Sequence, residues 1–437
     1  MDALKKWIVN ALSINEGLGG LIKPDYTCYH DGTFYGGVNC PSALHTAALI
    51  SYMLEGTVYQ LSRKIKVNLI NALKVFRITA VRYSTSSQIN GEIPKYDNAI
   101  FAEHVPAFAY MAMKPGQTKV NIFTPLNEDL AQVRIFLRLY DRVSGTCTGR
   151  LNKHLCDGKV SRSDYFNTLG SLQIMDEVKK IASKVTIGPL QWFYDAEQSQ
   201  NGHWTKQFGA LSIHRRDDWA VSIKGFDKYV WDYENPLGRN GNFYGMYSSH
   251  GAMLIANSEQ ALSSKKVDQG WDWRKIPGTT VISVNFPDML IKSDRHYNPS
   301  KDAMAGGVFF QGSKSSKEGN GVFGMNFQQP QYDVEPDSPF HRINFRFKKS
   351  AYFYDDIIVS LGSNIQYSGG QYEIHTTLFQ DLMLETNPRS TGQQASNIFH
   401  CNGGTSLKQT SWSNCTGNFG GRKWKQVYCK TFKMIFF

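Results

Sequence analysis

Between Gly202 and Ala252 the chain collects Trp231, Glu234, Asn235, Arg239, Tyr244, Tyr247 and His250. A carboxylate, an amide, a guanidinium, two phenols and an imidazole, set among glycines, suit the holding of a sugar chain. Trp231, Tyr244 and Tyr247 offer flat rings that can stack on sugars, and each taken singly fits a hydrophobic core equally well. His203 and His250 are further candidates to line the groove. Arg215 and Arg216, in the run Arg215-Arg216-Asp217-Asp218, either pair with sulfate or carboxylate groups or form a solvated turn. The glycine-rich piece from Gly238 to Gly241 lacks the strand-glycine-helix context of a phosphate cradle and is expected to be a turn.

These side chains need a frame. Leu211 and Ile213, then Trp219, Val221 and Ile223, alternate with polar neighbours, which predicts two strands, each with one buried face. After Gly188-Pro189 strands dominate: Trp219–Ile223, Val281–Phe286, Val308–Gln311, Ile343–Phe347 and Ile357–Leu361. Short strands with Gly, Asn and Asp turns predict an antiparallel sandwich. Before that boundary the periodicity is helical. Leu4, Trp7, Ile8, Ala11 and Leu12 form one apolar stripe. A helix is expected over Ala43–Leu54, ended by Gly56. Another, capped by Ser62, carries Ile65, Leu69, Leu73 and Phe76 on one face, and the two make an αα-hairpin. Pro106 interrupts an apolar stretch over Ile100–Met113, and amphipathic helices are expected over Leu126–Tyr140 and Asp164–Ala182.

The chain of 437 residues is long enough for two or three domains with real cores, and 41% hydrophobic residues make it globular. Its net charge of +11 favours polyanions: nucleic acid, an anionic membrane or an acidic polysaccharide. Zinc-knuckle spacing, an RNP aromatic signature and an arginine-rich arm are all missing, so nucleic acid is not expected as the partner. No run approaches the length of a membrane span, and Met1 to Asn15 reads as an amphipathic segment with no cleavage site. Seven cysteines (Cys28, Cys40, Cys147, Cys156, Cys401, Cys415, Cys429) leave at least one unpaired and are compatible with an oxidising compartment.

Five blocks carry a resemblance: IHRRDDWAVSIKGFDKYVWDYEN from Ile213, YGMYSSHGAMLIAN from Tyr244, GWDWRKIPGTT from Gly270, SLGSNIQYS from Ser360 and HTTLFQD from His375. In this order and with these gaps the chain resembles the chondroitin and hyaluronan lyases of polysaccharide lyase family eight, above all the broad-specificity chondroitin ABC type. The resemblance covers about Trp192 to Asp381 and is looser before it. It implies an α+β multidomain fold: a partial α/α toroid over residues 1–185, then a central antiparallel β-sandwich over 190–385. Residues 386–437 remain a tail or a small incomplete β region. The family is secreted, so the chain is expected to be extracellular and to lack its true start, with no signal sequence of its own.

The resemblance also implies a reaction. Uronic-acid lyases remove the proton at C5, beside the carboxylate, and expel the oxygen at C4. A base, an acid and a group that neutralises the carboxylate are required; no metal is obligatory, and calcium is at most a supporting ion. KPDYTCYHDGTFYGG, from Lys23, resembles the segment with the catalytic histidine and places His30 there. The family's tyrosine would fall at Gly37, Val38 or Asn39, so Tyr35 is the substitute; otherwise it is a packing aromatic. The family's arginine would fall in GEIPKYD, where only Lys95 offers positive charge, without the bidentate fork; otherwise Lys95 is a solvated loop lysine, and Arg82 is the alternative. Glu234, in VWDYE, matches the family glutamate and is expected to orient the others. Trp231, Asn235, Arg239, Tyr247, His250, Lys95 and Arg215 are the expected substrate contacts. The reading is therefore a monomeric lyase of chondroitin or dermatan sulfate, with hyaluronan a further substrate. The two unmatched positions keep open a catalytically impaired, glycosaminoglycan-binding relative.

Overall fold

The structure is a computed structural model. It describes residues 2–36, 39–81, 84–89, 104–112, 201–216, 219–233, 245–257, 272–289, 302–311, 319–330, 336, 338–378, 380, 400–401, 405–406, 417–419, 422–428 and 433–436. The chain divides into two compact units, Met1–Asn90 with Asn98–Gln200 and Gly91–Asp97 with Asn201–Phe437.

In the first unit α1 (Asp2–Ala11) is followed by a hairpin of β1 (Tyr29–His30) and β2 (Thr33–Phe34), then α2 (Asn39–Leu54) and α3 (Arg63–Ile78). A second small hairpin, β3 (Ala80–Val81) with β4 (Ser84–Thr85), precedes α4 (His104–Ala112). The stripe Ile65, Leu69, Leu73 and Phe76 is buried as its spacing predicts, and α2, α3 and α4 pack around it with Leu44, Ala48 and Phe108. Each such side chain contributes about 1.5–3 kcal/mol by leaving water. Two expectations need correction. Ser62 stands at the N-cap of α3 with extended backbone, but its side chain makes no capping hydrogen bond. The stripe on α1 buries nothing: Trp7 is 77% exposed, and only Leu12, just past the helix, is interior. Pro106 lies within the first turn of α4, where a missing N–H costs no helical bond; the rest of the expected stretch, residues 100–103 and 113, lies outside the described residues. The helices expected over Leu126–Tyr140 and Asp164–Ala182 lie outside the described residues, as does the toroid they would complete.

The second unit is built on two sheets. In the smaller, β5 (Gly202–Lys206), β6 (Leu211–Arg216), β7 (Trp219–Lys224) and β8 (Ala252–Asn257) run antiparallel in that order. Next in the chain come β9 (Thr280–Ile282), β10 (Met304–Gln311), β11 (Gly319–Gln328), β12 (Asn344–Tyr354), β13 (Ile357–Ser368) and β14 (Ile374–Thr376). Then follow β15 (His400–Cys401), β16 (Thr405–Ser406), β17 (Gly417–Phe419), β18 (Arg422–Tyr428) and β19 (Lys433–Phe436). The larger sheet has the order β10-β11-β12-β13-β19-β18-β17, antiparallel except where β19 joins β13 in parallel; β9 pairs with β14 and β15 with β16. β5 and β6 lie against β10 and β11, giving the sandwich its second layer.

Strand β12 shows why the layers form. Phe345, Phe347, Ala351 and Phe353 face inward while Asn344, Arg346 and Lys348 face out, the period of two that an antiparallel sheet needs. Phe347 stacks on Phe327 of β11 with ring centres 4.4 Å apart. Strands β6 and β7 depart from the expected one-sided alternation: all twelve residues are buried, polar ones included. Both faces of these strands are covered, so Ser212, His214, Ser222 and Lys224 are interior groups. The strand expected over Val281–Phe286 stops at Ile282, and Phe286–Met289 forms a 3-10 turn. Among the described residues no helix is long and apolar enough to cross a membrane.

Candidate functional site

His30 sits at the tip of the β1–β2 hairpin. Register pairs Tyr29 with Phe34 and His30 with Thr33, leaving the two-residue loop Asp31-Gly32. Both loop residues have positive φ, +44° and +73°, as a tight turn matched to strand twist requires. The Asp-Gly dipeptide was a legible signal for this hairpin. A disulfide between Cys28 and Cys40 ties the strand to the first turn of α2, with Cα atoms 6.0 Å apart; spacing alone had not assigned this pair. Phe34 packs edge-on against Phe76 of α3, ring centres 5.3 Å apart.

This frame presents an imidazole and a phenol together. The His30 and Tyr35 rings meet edge to face, 5.2 Å between centres at 77°. The His30 side chain is 42% exposed, and its Nε2 lies 3.2 Å from Asp31 Oδ2. Tyr35 is 3% exposed, and its backbone N–H donates to the Cys28 carbonyl at 3.1 Å. Gly36 follows because nothing larger fits: an added Cβ would stand 2.6 Å from Ile89 Cδ1, and its N–H donates to the Ile89 carbonyl. Behind the hairpin the buried Lys23 ammonium donates to the carbonyls of Gly17 and Gly19 and lies 4.3 Å above the Tyr29 ring. Burial lowers its pKa, with Asp25 opposing. Asp31 and Lys23 are the two charged neighbours of this site that the sequence did not single out.

Three expected substrate contacts of the second unit lie in its interior instead. Tyr247 is buried and its hydroxyl donates to the Ile282 carbonyl at 2.8 Å; burial drives its pKa up, with Arg274 opposing. His250 is fully buried against Phe327, Tyr247 and Phe226, with ring centres 4.6, 5.3 and 5.9 Å away. Burial holds its pKa down to about 3. Arg215 is 0% exposed on β6, so it is not part of a solvated turn. A sugar cannot reach any of the three in this arrangement.

His203 and His214 are buried too. Their Nδ1 atoms lie 3.3 Å apart, and His214 Nε2 is 2.8 Å from the Asp355 carbonyl. Burial lowers both pKa values to about 3, assisted for each by the Arg216 charge. Arg216 itself donates to Asn320 Oδ1 at 2.8 Å and Gly319 O at 3.0 Å, and pairs with Asp355 at 3.3 Å. It bridges β6 to β11 and the β12–β13 turn.

Trp231 is half-buried in the segment after β7. There Asp227 Oδ1 accepts from the N–H of Tyr229 at 2.7 Å and of Val230 at 2.9 Å, and Asp232 Oδ1 accepts from the Tyr233 N–H at 2.9 Å. Lys224 Nζ, interior, donates to Ser249 Oγ at 3.0 Å and to the Trp231 carbonyl at 3.4 Å. Its pKa is lowered to about 8 by burial, against the pull of Asp232 and Asp227. Glu234, Asn235, Arg239 and Lys95 lie outside the described residues. The geometry thus brings His30 and Tyr35 together and leaves their expected partners unplaced.

Comparison with known proteins follows the same division. Residues 205–425 match the family described as "Polysaccharide lyase family 8, super-sandwich domain", and residues 1–143 match "Lyase, catalytic". The chain is 30% identical over 196 residues to a chondroitin sulfate ABC exolyase of Bacteroides thetaiotaomicron, covering 43% of this chain and 18% of that protein. It is 30% identical over 213 residues to a chondroitin sulfate ABC endolyase of Proteus vulgaris, covering 48% and 19%. The chain therefore matches only about a fifth of the length of these relatives. Among solved structures, Streptomyces coelicolor A3 chondroitin AC lyase superposes with a TM-score of 0.54 at 14% identity, over 83% of this chain and 44% of the other. A Paenibacillus xanthan lyase gives 0.53 at 17%, over 83% and 30%. At such identities the two structures speak for the fold.

Proposed function

The chain belongs to polysaccharide lyase family 8, and on that premise we propose that it cleaves chondroitin or dermatan sulfate by β-elimination at the uronic acid, with hyaluronan a further substrate. The observation that carries this reading is the hairpin-mounted pair of His30 and Tyr35, edge to face at 5.2 Å. Elimination needs one group to take a proton and one to give it, both held before substrate arrives.

The C5–H bond breaks toward a base, its electrons form the C4=C5 double bond, the C4–O bond breaks, and the departing oxygen takes a proton from an acid. Asp31 Oδ2, 3.2 Å from His30 Nε2, favours the tautomer protonated at Nε2, which leaves Nδ1 as the proton acceptor. The Tyr35 hydroxyl is the acid, and Glu234 orients the set. Lys95 neutralises the substrate carboxylate as a point charge, raising the acidity of C5–H. The net charge of +11 supports an acidic polysaccharide as partner. The reaction as written asks for no metal. The toroid that the helical hairpins of the first unit would belong to, and an extracellular setting, are part of the same reading; the Cys28–Cys40 disulfide supports the latter.

A second reading draws on the burial of Tyr35, 3% exposed: a relative that binds glycosaminoglycan and no longer cuts it. Digestion of chondroitin sulfate, followed by the ultraviolet absorbance of the unsaturated uronate, separates the two. The lyase reading expects absorbance to grow with time. Retention of the polysaccharide with no growth at all would transfer the conclusion to the second reading.

A further inference from the structure

The first unit holds a cavity of about 730 Å³ where α2 ends and α3 begins, a volume within the range of roughly 300–1,000 Å³ that suits small-molecule sites. The Cys28–Cys40 disulfide fastens the other end of α2 to the His30 hairpin, and α2 runs roughly 20 Å from there to Leu54. The cavity shares no residue with the pair of His30 and Tyr35. Its wall is braced locally. Gly56, at φ +75°, follows the last turn of α2. The Thr57 N–H and hydroxyl both donate to the Leu54 carbonyl, at 3.1 and 2.7 Å, and the Gln60 N–H donates to the Thr57 carbonyl at 3.1 Å. The Gly56 N–H donates to Gln60 Oε1 at 3.3 Å, and an ion pair of Lys66 with Glu55 joins the start of α3 to the end of α2. A wall held in this way has its shape before a ligand arrives, which lowers the ordering cost of binding.

Two kinds of side chain line the space. Val9, Leu61, Val67, Ile70 and Met111 supply aliphatic surface, and Tyr52 and Tyr110 add two rings with centres 5.4 Å apart. Apolar surface that faces water costs about 25 cal/mol per Å², which an apolar occupant recovers. A sugar, hydroxylated on every side, recovers little of it. The charged lining is one-sided: Lys5, Arg63 and Lys66 against the single carboxylate of Glu55, which Lys66 already pairs. Lys5 Nζ donates to the carbonyl of exposed Val58 at 3.4 Å, so its ammonium stands at the rim. Ser62 and Arg63 bring the first turn of α3 to the same rim, and with it the positive end of a 16-residue helix. We propose that this cavity binds an amphipathic organic anion, with an aliphatic or aromatic body against the apolar lining and a carboxylate or sulfonate head toward Lys5 and Arg63. Binding there is independent of the lyase chemistry.

The probe is anilinonaphthalene sulfonate, an aromatic anion that fluoresces when its rings leave water. Titrated into the full chain, it is expected to give a saturable signal. Val67 is half-buried and lines the cavity. Val67→Trp places an indole in that space and should abolish the saturable signal without lowering Tm. Arg63→Ala and Lys5→Ala should each weaken binding by about 2- to 5-fold, the range of an exposed ion pair. Lys348→Ala removes an exposed lysine of β12 and should leave the affinity as it is. Decanoate should displace the dye, and decanol, the same chain without the charge, should displace it less well. A signal undiminished in both Val67→Trp and Arg63→Ala, or one that never saturates, would overturn the proposal. So would displacement by a chondroitin disaccharide where decanoate fails, which would give the cavity to a sugar. Loss of the signal as the protein is concentrated would also overturn it, because a second copy would then cover the opening. Should Val67→Trp fail to fold, the two charge variants and the decanoate–decanol pair decide.

Discussion

The tip of the β1–β2 hairpin and the interior of the sandwich use their imidazoles in opposite ways. His30 stands at a hairpin tip, 42% exposed, beside a carboxylate and a phenol ring. His250 sits among Phe226, Tyr247 and Phe327, and among the described residues neither of its ring nitrogens has a hydrogen-bond partner. His203 and His214 share one contact between strands under Phe353. Burial holds such rings neutral, fit for packing and unfit for moving protons near neutral pH. Residue type alone says little about role. What distinguishes the hairpin tip from that interior is access to water and a carboxylate beside the ring.

The comparison breaks most visibly by exchanging the losses. His30→Ala should remove about 10²- to 10⁴-fold of activity, the span of a general acid–base group, and leave Tm nearly unchanged because the side chain is half in water. His250→Ala should do the reverse. It opens a cavity against three aromatic rings and is expected to cost about 2–5 kcal/mol, while the folded fraction keeps its activity per molecule. Activity assays paired with urea melts check both; a stability loss in His30→Ala equal to that of His250→Ala would erase the distinction.

Acid sharpens the contrast next. His203, His214 and His250 are held near a pKa of about 3 in the folded chain, against about 6.5 when unfolded. As pH falls below about 6.5 the unfolded chain takes up protons that the folded chain refuses. Stability is therefore full above that pH and is lost progressively down toward pH 3, by up to about 1.4 kcal/mol per pH unit for each histidine. His203 and His214 face each other, so the pair contributes less than two independent groups. Urea midpoints measured from pH 7.5 to pH 5 should fall, and a flat profile would mean these rings are charged or exposed.

How far the sequence foretold this contrast depends on what each residue's role rests on. A local signal carried through: the stripe Ile65, Leu69, Leu73 and Phe76 is buried; Asp31-Gly32 makes a turn that its residue types favour, although no hairpin is among the expectations above. The alternation on β12 also reads directly as one face in and one face out. Roles set by distant contacts did not carry through. Tyr247 and His250 stand in a polar, glycine-containing stretch that reads as a groove, and only the packing of Phe327 and the Ile282 carbonyl shows them to be interior. Arg215 reads as a turn residue until both faces of β6 are seen to be covered. Lys224 occupies a polar position of an alternating strand, and nothing in its neighbours along the chain announces the Ser249 hydroxyl that holds it.

Smaller effects probe the hairpin side. Tyr35→Phe keeps the buried ring and its contact with His30 but deletes the hydroxyl, so it should fold normally and lose about 10²-fold or more of turnover if that hydroxyl protonates the leaving oxygen. Full activity in Tyr35→Phe would remove Tyr35 from the reaction and leave it a packing aromatic. The gentlest effect is on binding. Retention on immobilised chondroitin sulfate should weaken steadily as salt is raised, because the attraction of a +11 chain is screened over about 10 Å at 0.1 M. Elution alongside a neutral control protein at low salt would remove the electrostatic part of recognition.

The most direct test of the proposed lyase function, in which His30 and Glu234 would act together, is a double-variant cycle read by release of unsaturated uronate from chondroitin sulfate. Groups that act together are strongly non-additive. His30→Ala alone should lose about 10²- to 10⁴-fold, Glu234→Ala alone should reduce product severely, and the double variant should be hardly slower than His30→Ala. A loss in the double variant equal to the product of the two single losses, or full turnover in either single variant, would contradict the account.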